Sequence, residues 1–369
     1  MTLSELDRRA PPQPWARLTE VVGDRPKRGA PAPSELPSNP FTRLVAAKAL
    51  AHLAHVPLAD VVDREWPNDL ILRAASAPAM TTTVGWAKEL VRQMIAAGLA
   101  ALGPASAGAQ VLSDSLVLGW DGVGQISAPG IVAGGGNASF VAENAPIPVR
   151  QLATTPALMN PYKLATIAVL TREMIESGNA EQIIGDALVR ACGLALDNVL
   201  FGSGAATAAQ PAGLRNGITA LTASAATDAW EQAVEDITAL INSVSAVGGA
   251  GPYSLVMNPG RAATFIGRIF RDKAQQAAPY DVHASTAMGN DVMCIANAAL
   301  VAALSPNPDV GTADSGTLHM DTAPVADPGS TGTHKSLFQT ESVALKVRWP
   351  VSWVLRNAAG VAWLTPTWK

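Results

Sequence analysis

Residues 138–176 constrain the fold more than any other part of this 369-residue chain. The runs 138–150 (ASFVAENAPIPVR) and 158–170 (LMNPYKLATIAVL) are strand-like in their β-branched content, and Pro146, Pro148 and Pro156 punctuate the loop between them. Proline has no N–H to give to a ladder, so the pair reads as a hairpin at a sheet edge and not in mid-sheet. A long uncovered edge invites aggregation unless a partner covers it. The arm therefore points to a chain that completes itself against neighbouring subunits.

Composition agrees. Charged residues make up 15% and hydrophobic ones 48%, against about a quarter charged in an ordinary globular chain. Such scarcity implies that much surface is hidden in contacts. A membrane span is not the expected explanation. The uncharged stretch 93–113 is interrupted by Gly98, Gly103-Pro104 and serines, and its apolar content is mostly alanine. Arg8-Arg9 is followed by Ala10-Pro11-Pro12-Gln13-Pro14 and not by the apolar run of a secretion signal. Cys192 and Cys294 read as small buried hydrophobes of a reducing compartment. The net charge of −4, without an extended basic run, excludes a sequence-reading DNA binder.

Residues 1–40 hold eight prolines and read as a loose tail. Helical patterning follows from Phe41 through Leu44, Val45, Lys48 and Ala49, then over 58–72 and 86–102, as a small appended region. Between Arg92 and Glu143 the only charges are Asp114 and Asp121, and Gly134-Gly135-Gly136 adds flexibility, so this part reads as an extended arm lying on other chains. A long helix is expected from Asn179, its cap, with Gln182 as reciprocal partner. It carries Ile183, Ile184, Leu188, Leu194 and Val199 and is stopped by Gly202.

An α/β subregion comes next. Asp228 and Glu231 open a helix, residues 253–257 form a strand, and Asn258-Pro259-Gly260 leads into a helix through Ile269. Residues 288–300 form a second strand region, and 305–332 read as loop with Asp309, Asp314, Asp321 and Asp327. At the carboxyl end Val343, Leu345, Val347 and Trp349 alternate with Ala344, Lys346 and Arg348, the signature of a half-buried strand. After a turn at 357–360, Val361 and Trp363 run back.

The order of these elements resembles the major capsid proteins of tailed bacteriophages. The resemblance rests on Phe140-Val-Ala-Glu143, Pro161-Tyr162-Lys163-Leu164 and the helix end Leu196-Asp197-Asn198-Val199-Leu200-Phe201-Gly202. It rests also on Gln210-Pro211-Ala212-Gly213-Leu214, Val256-Met257-Asn258-Pro259, and Phe338-Gln339-Thr340-Glu341-Ser342-Val343-Ala344-Leu345 with Trp353. The fold it implies is α+β, the Johnson fold of Hong Kong phage 97-like capsids. Residues 1–102 would be an amino-terminal extension, equivalent to a scaffolding segment that a phage protease removes. Residues 103–137 would be the amino-terminal arm and 138–170 the extended loop overlapping a neighbour. The peripheral domain with its spine helix would span 171–214, the axial domain 215–335, and the return strands 336–369.

The resemblance further implies self-assembly into pentamers and hexamers of an icosahedral head, with portal, prohead protease and decoration proteins as further partners. Double-stranded DNA would be enclosed without sequence readout and without a membrane, in the virion, after assembly in the host cytoplasm. The alternatives are an encapsulin-type compartment shell and, remotely, a soluble hydrolase. Candidate inter-subunit contacts are Phe140, Glu143, Arg150, Tyr162, Lys163 and Trp353. Some members of the family crosslink through a loop lysine; here 143–161 contains none, and Lys163 lies at the strand base.

Competing chemistry is poorly supported. Phe201-Gly202-Ser203-Gly204 lacks the spacing of a nucleophile elbow. In Gly329-Ser330-Thr331-Gly332-Thr333-His334-Lys335 the lysine is displaced from the position a phosphate loop requires. His52 and His55 lack further ligands at metal spacing, and the acidic loop lacks calcium-loop regularity. No enzyme activity, cofactor or metal is expected.

Overall fold

The computed structural model describes residues 40–69, 105–120, 124–130, 156–176, 180–271, 280–305, 309–319 and 334–368, with Leu72, Leu99, Leu102, Gly103, Phe140, Val141 and Glu143. The proline-rich tail, most of the expected 86–102 helix, the glycine run, Pro146, Pro148, Arg150, Asn179, Asp321 and Asp327 lie outside the described residues. The described part is α+β, as the sequence implied.

Two helices come first, α1 (Pro40–Ala54) and α2 (Leu58–Glu65). His55 takes a left-handed φ of 53° between them, and the chain bends by 118°. The second helix ends at Glu65 and not near residue 72, because Pro67 disfavours helical backbone at Trp66. A short helix α3 (Ala107–Ser113) precedes strands β1 (Leu116–Gly119), β2 (Ile126–Ala128), β3 (Ala157–Met159) and β4 (Tyr162–Thr171). Helices α4 (Arg172–Glu176), α5 (Ala180–Leu200) and α6 (Ala229–Gly248) follow. Asp228 caps α6 by accepting from the amides of Trp230 and Glu231 at 2.9 and 3.0 Å, as its position before the apolar run predicts.

The remaining elements are β5 (Tyr253–Met257), α7 (Pro259–Arg271), β6 (Tyr280–Ala284), β7 (Val292–Ala296) and β8 (Leu300–Leu304). After them come β9 (Asp309–Ala313), β10 (Thr317–His319), β11 (His334–Ser336), β12 (Ser342–Leu355) and β13 (Val361–Leu364). The stretch 305–332, expected to be loop, therefore contains β9, paired with β12, and β10, paired with β11. Aspartate, glycine and threonine in these strands hide the apolar alternation by which a strand is recognised.

The first sheet runs β1-β8-β12-β4, with β9 also on β12. Its centre is the fourteen-residue β12, antiparallel to β4 along Ser342–Val351. On its other side the first half of β12 pairs with β9 and the second half with β8. Pro350 falls at the changeover, where its missing N–H breaks neither ladder. The strand-like run 158–170 divides into the end of β3, which pairs antiparallel with β2, and β4, which pairs with the carboxyl-terminal strand β12, while most of the run 138–150 expected opposite it lies outside the described residues.

The second sheet, β13-β7-β5-β6, carries fully buried β5 and β7 under α6. Val361 and Trp363 do not run back along β12 but cross into this sheet, where β13 pairs with β7. Strands β8 and β9 lie in the first sheet although they precede residue 335. The division into sheets therefore interleaves along the chain. Helix α1 is not appended: Val45 and Ala49 share a core with Leu170, Leu188, Val310, Val343, Leu345 and Val347. Among the described residues no single helix is long and apolar enough to cross a membrane.

Candidate assembly surface and the clasp behind it

Among the described residues, β8 is buried on both faces, whereas the part of the first sheet formed by β4 and the first half of β12 is covered on one face only. Val343, Leu345 and Val347 point inward against α1 and α5, while Lys346 and Arg348 point outward. Across the ladder, Lys346 stands opposite Ile167 and Arg348 opposite Ala165. Lys163, Ala165 and Ile167 are all exposed, Ile167 to 53%. The result is a face with an apolar strip and three cations, of which Arg348 meets one acid, Asp309, at 3.6 Å. Among the described residues β4 has a strand on one side only, so its ten residues also form an edge. Beside the arm, Phe140 is fully exposed and Glu143 is exposed. Among the described residues, Leu158 on β3 and Phe338 before β12 are the other large apolar side chains more than half in solvent.

The sequence-derived contact residues divide accordingly. Phe140, Glu143 and Lys163 are on the surface, and Tyr162 is half-buried at the start of β4. Arg150 lies outside the described residues. Trp353 is corrected: it is 6% exposed inside the protomer core, and its Nε1 donates to Ala212 O at 2.9 Å. That bond explains the Gln210–Leu214 motif. The returning segment lies so close to the helix end that a Cβ on Gly213 would stand 2.2 Å from Gly202 O.

Behind this surface, Asp197 of α5 is 3% exposed. Its Oδ1 accepts from Ser106 Oγ and from the amide of Gly108 at 2.8 Å. Its Oδ2 accepts from the amide of Ala107 at 3.3 Å and from Ser285 Oγ at 2.6 Å. One buried carboxylate thus satisfies the orphan amides of α3, and its charge faces the positive end of that helix. Ser106 completes the cap by accepting from the amide of Ala109 at 3.0 Å. The fit leaves no room: a Cβ on Gly108 would stand 2.8 Å from Asp197 Oδ1. Sequence reading did not find this role. The available signal was an aspartate on the inward stripe formed by Val189, Cys192, Leu196 and Leu200.

Arg215 makes a second clasp. Its Nε donates to Phe201 O at 2.7 Å, its NH1 pairs with Asp291, and its guanidinium lies 5.2 Å from the centroid of the Trp363 ring. The end of α5 is so joined to the second sheet.

His283 of β6 faces α3, its Nδ1 2.9 Å from Gln110 Oε1 and its Nε2 3.7 Å from Asp114 Oδ2. Burial pushes its pKa below the ordinary 6.5, while the Asp114 and Asp281 carboxylates pull the other way. Burial also pushes the Cys192 thiol up to about 11 and Cys294 to about 12, so neither is a thiolate near neutrality.

Among the described residues the competing sites do not assemble, and Asp321, Asp327 and residues 329–333 lie outside them. Ser203 is exposed, and no hydrogen bond joins it to a histidine or carboxylate among the described residues. His52 Nε2 lies 3.5 Å from Asp314 Oδ2, but no group of three metal-ligating side chains converges among the described residues. Lys335 belongs to β11, opposite Leu318.

Comparison with known proteins agrees with the capsid resemblance. Residues 121–274 match the model of the phage capsid family. The capsid polyprotein of Pseudomonas phage PAJU2 is 25% identical over 89% of this chain and 54% of its own length. The chain thus spans about half of that curated relative. A solved structure from Mycobacterium phage Bobi is 18% identical and covers 71% of this chain and 90% of its own, with a TM-score of 0.47. The virus-like particle from Pyrococcus furiosus is 13% identical, covering 75% of this chain and 98% of its own, with a TM-score of 0.45.

Two predictions follow from the clasp and from His283. Asp197→Ala strands two hydroxyls and two amides, so denaturant unfolding should show a loss of about 3 kcal/mol or more; an unchanged midpoint would contradict the assigned role. A histidine pKa lowered by folding means the neutral ring's contribution is complete above the unfolded value. It is lost as pH falls through about 6.5 toward the folded value. The melting temperature should therefore drop less between about pH 7.5 and 5.5 in His283→Gln than in the parent chain.

Proposed function

We propose that this chain is a structural capsid subunit. Copies of it assemble into the pentamers and hexamers of an icosahedral phage head that encloses double-stranded DNA. The match of residues 121–274 to the phage capsid family carries this reading. In it, α5 serves as the spine helix, the segment between β2 and β3 as the extended loop, and the second sheet with α6 as the axial part. The subunit works in the virion after assembly in the host cytoplasm, with portal, prohead protease and decoration proteins as partners and without an enzymatic role of its own.

The open outer face of β4 and the first half of β12 supports the reading physically. An exposed face with Ile167, Lys163, Lys346 and Arg348 fits an arm from a neighbour that brings Phe140 and Glu143. Each contact is modest, but a subunit gripped by arm, edge and axial contacts at once gains avidity without any single strong site. Standard interfaces bury about 1,200–2,000 Å², and several per subunit hold a shell by mass action. The DNA is enclosed by this wall and not read, in keeping with the net charge of −4. Lys163 is held in β4, and the arm grips by packing and charge, not by a covalent crosslink.

Charge reversal tests the arm contact. Lys346→Glu with Arg348→Glu should melt like the parent chain but sediment as small species, and adding Glu143→Lys should restore at least part of the large species. A doubly reversed variant that assembles like the parent would refute the contact.

A further inference from the structure

We infer that residues 40–72 are a permanent part of the folded body and not a removable leader. Three helices, α1, α4 and α5, cover the first sheet's inner face at β4, β9 and the first half of β12, and α4 contributes Ile175. Helix α5 supplies Leu188, and α1 supplies Val45 and Ala49 to the same core as Leu170, Val310, Val343, Leu345 and Val347. Val45 is 1% exposed and Ala49 0%. Without α1, much of one side of β9 and the first half of β12 would meet water with valines and leucine, an apolar patch that a folded chain does not leave open.

Polar contacts fix the position. Lys48 Nζ donates to Val310 O at 3.1 Å, and His52 Nε2 stands 3.5 Å from Asp314 Oδ2. Both bind α1 to β9 and the turn after it. The two helices then hold each other. Leu44, Ala47 and Ala51 of α1 pack on Val61, Val62 and Leu72, and Arg43 pairs with Asp69 at 2.6 Å. One shared core with the Lys48 and His52 contacts makes α1 a structural layer of the first sheet, and a second core with the Arg43–Asp69 pair fastens α2 to α1. Any processing that spares the fold then falls ahead of Pro40, not near residue 102.

The inference concerns the chain's own fold, so it stands or falls apart from the shell reading. Hydrogen exchange on the purified full-length chain tests it. Amides of α1 should be protected to the same level as those of β12, and Val45→Asp should lower protection in both together. Rapid exchange of α1 beside a fully protected β12, or a Val45→Asp variant with β12 protection unchanged, would overturn it. Where processed particles can be isolated, their mass should still include residues 40–72; particles lacking them would equally overturn it.

Discussion

The carboxylate of Asp197 is the interaction on which the rest of the structure depends. It lies where three parts of the chain meet: α5, the segment entering α3, and the turn after β6 that carries Ser285. A buried charge is costly unless every lone pair is used, and here each oxygen takes two donors. Because the donors come from distant positions, the carboxylate fixes where α3 starts and how the second sheet stands against α5. Gly108 and Gly193 are needed for the same reason. A Cβ on Gly193 would stand 3.1 Å from the Ser106 Cβ. With the Arg215 clasp one turn further on, at Phe201 beside the end of α5, two polar ties hold the second sheet against this helix in one geometry.

A rigid protomer is what a closed assembly requires, since small errors of angle accumulate around a ring. The surface proposed to meet neighbours lies outside this frame. The open face and the edge strand belong to β12 and β4, whose other side is packed into the core. Lys346 and Arg348 are exposed because their neighbours in β12, Leu345 and Val347, are buried. The alternation that builds the core thus also builds the surface offered to a neighbour.

Part of this was legible in the sequence. The alternation over 343–349 gave β12 its place and its two faces, and Asp228 before an apolar run marked the start of α6. The apolar stripe ending at Gly202 marked α5. The partners of strands were not legible, because pairing is decided by tertiary contacts that no local pattern encodes. The β4 half of the arm looked like one side of a local hairpin, yet its ladder goes to a strand some 180 positions later, as the pairing of Leu170 with Val343 shows. Strands β9 and β10 were missed because Asp309, Gly311 and Thr312 do not read as strand formers. The same limit concealed the sheet-covering role of α1, whose short alanine-rich face looked too thin to belong to a main core. Trp353 was placed at an interface because a large aromatic serves equally well as an anchor inside or outside a protomer; only its bond to Ala212 O decides between them.

The central claim is that copies of this chain close into a shell. Negative-stain electron microscopy of the purified recombinant chain tests it most directly. The account predicts capsomer rings or closed shells of uniform size. A strictly monomeric species at high concentration would contradict it.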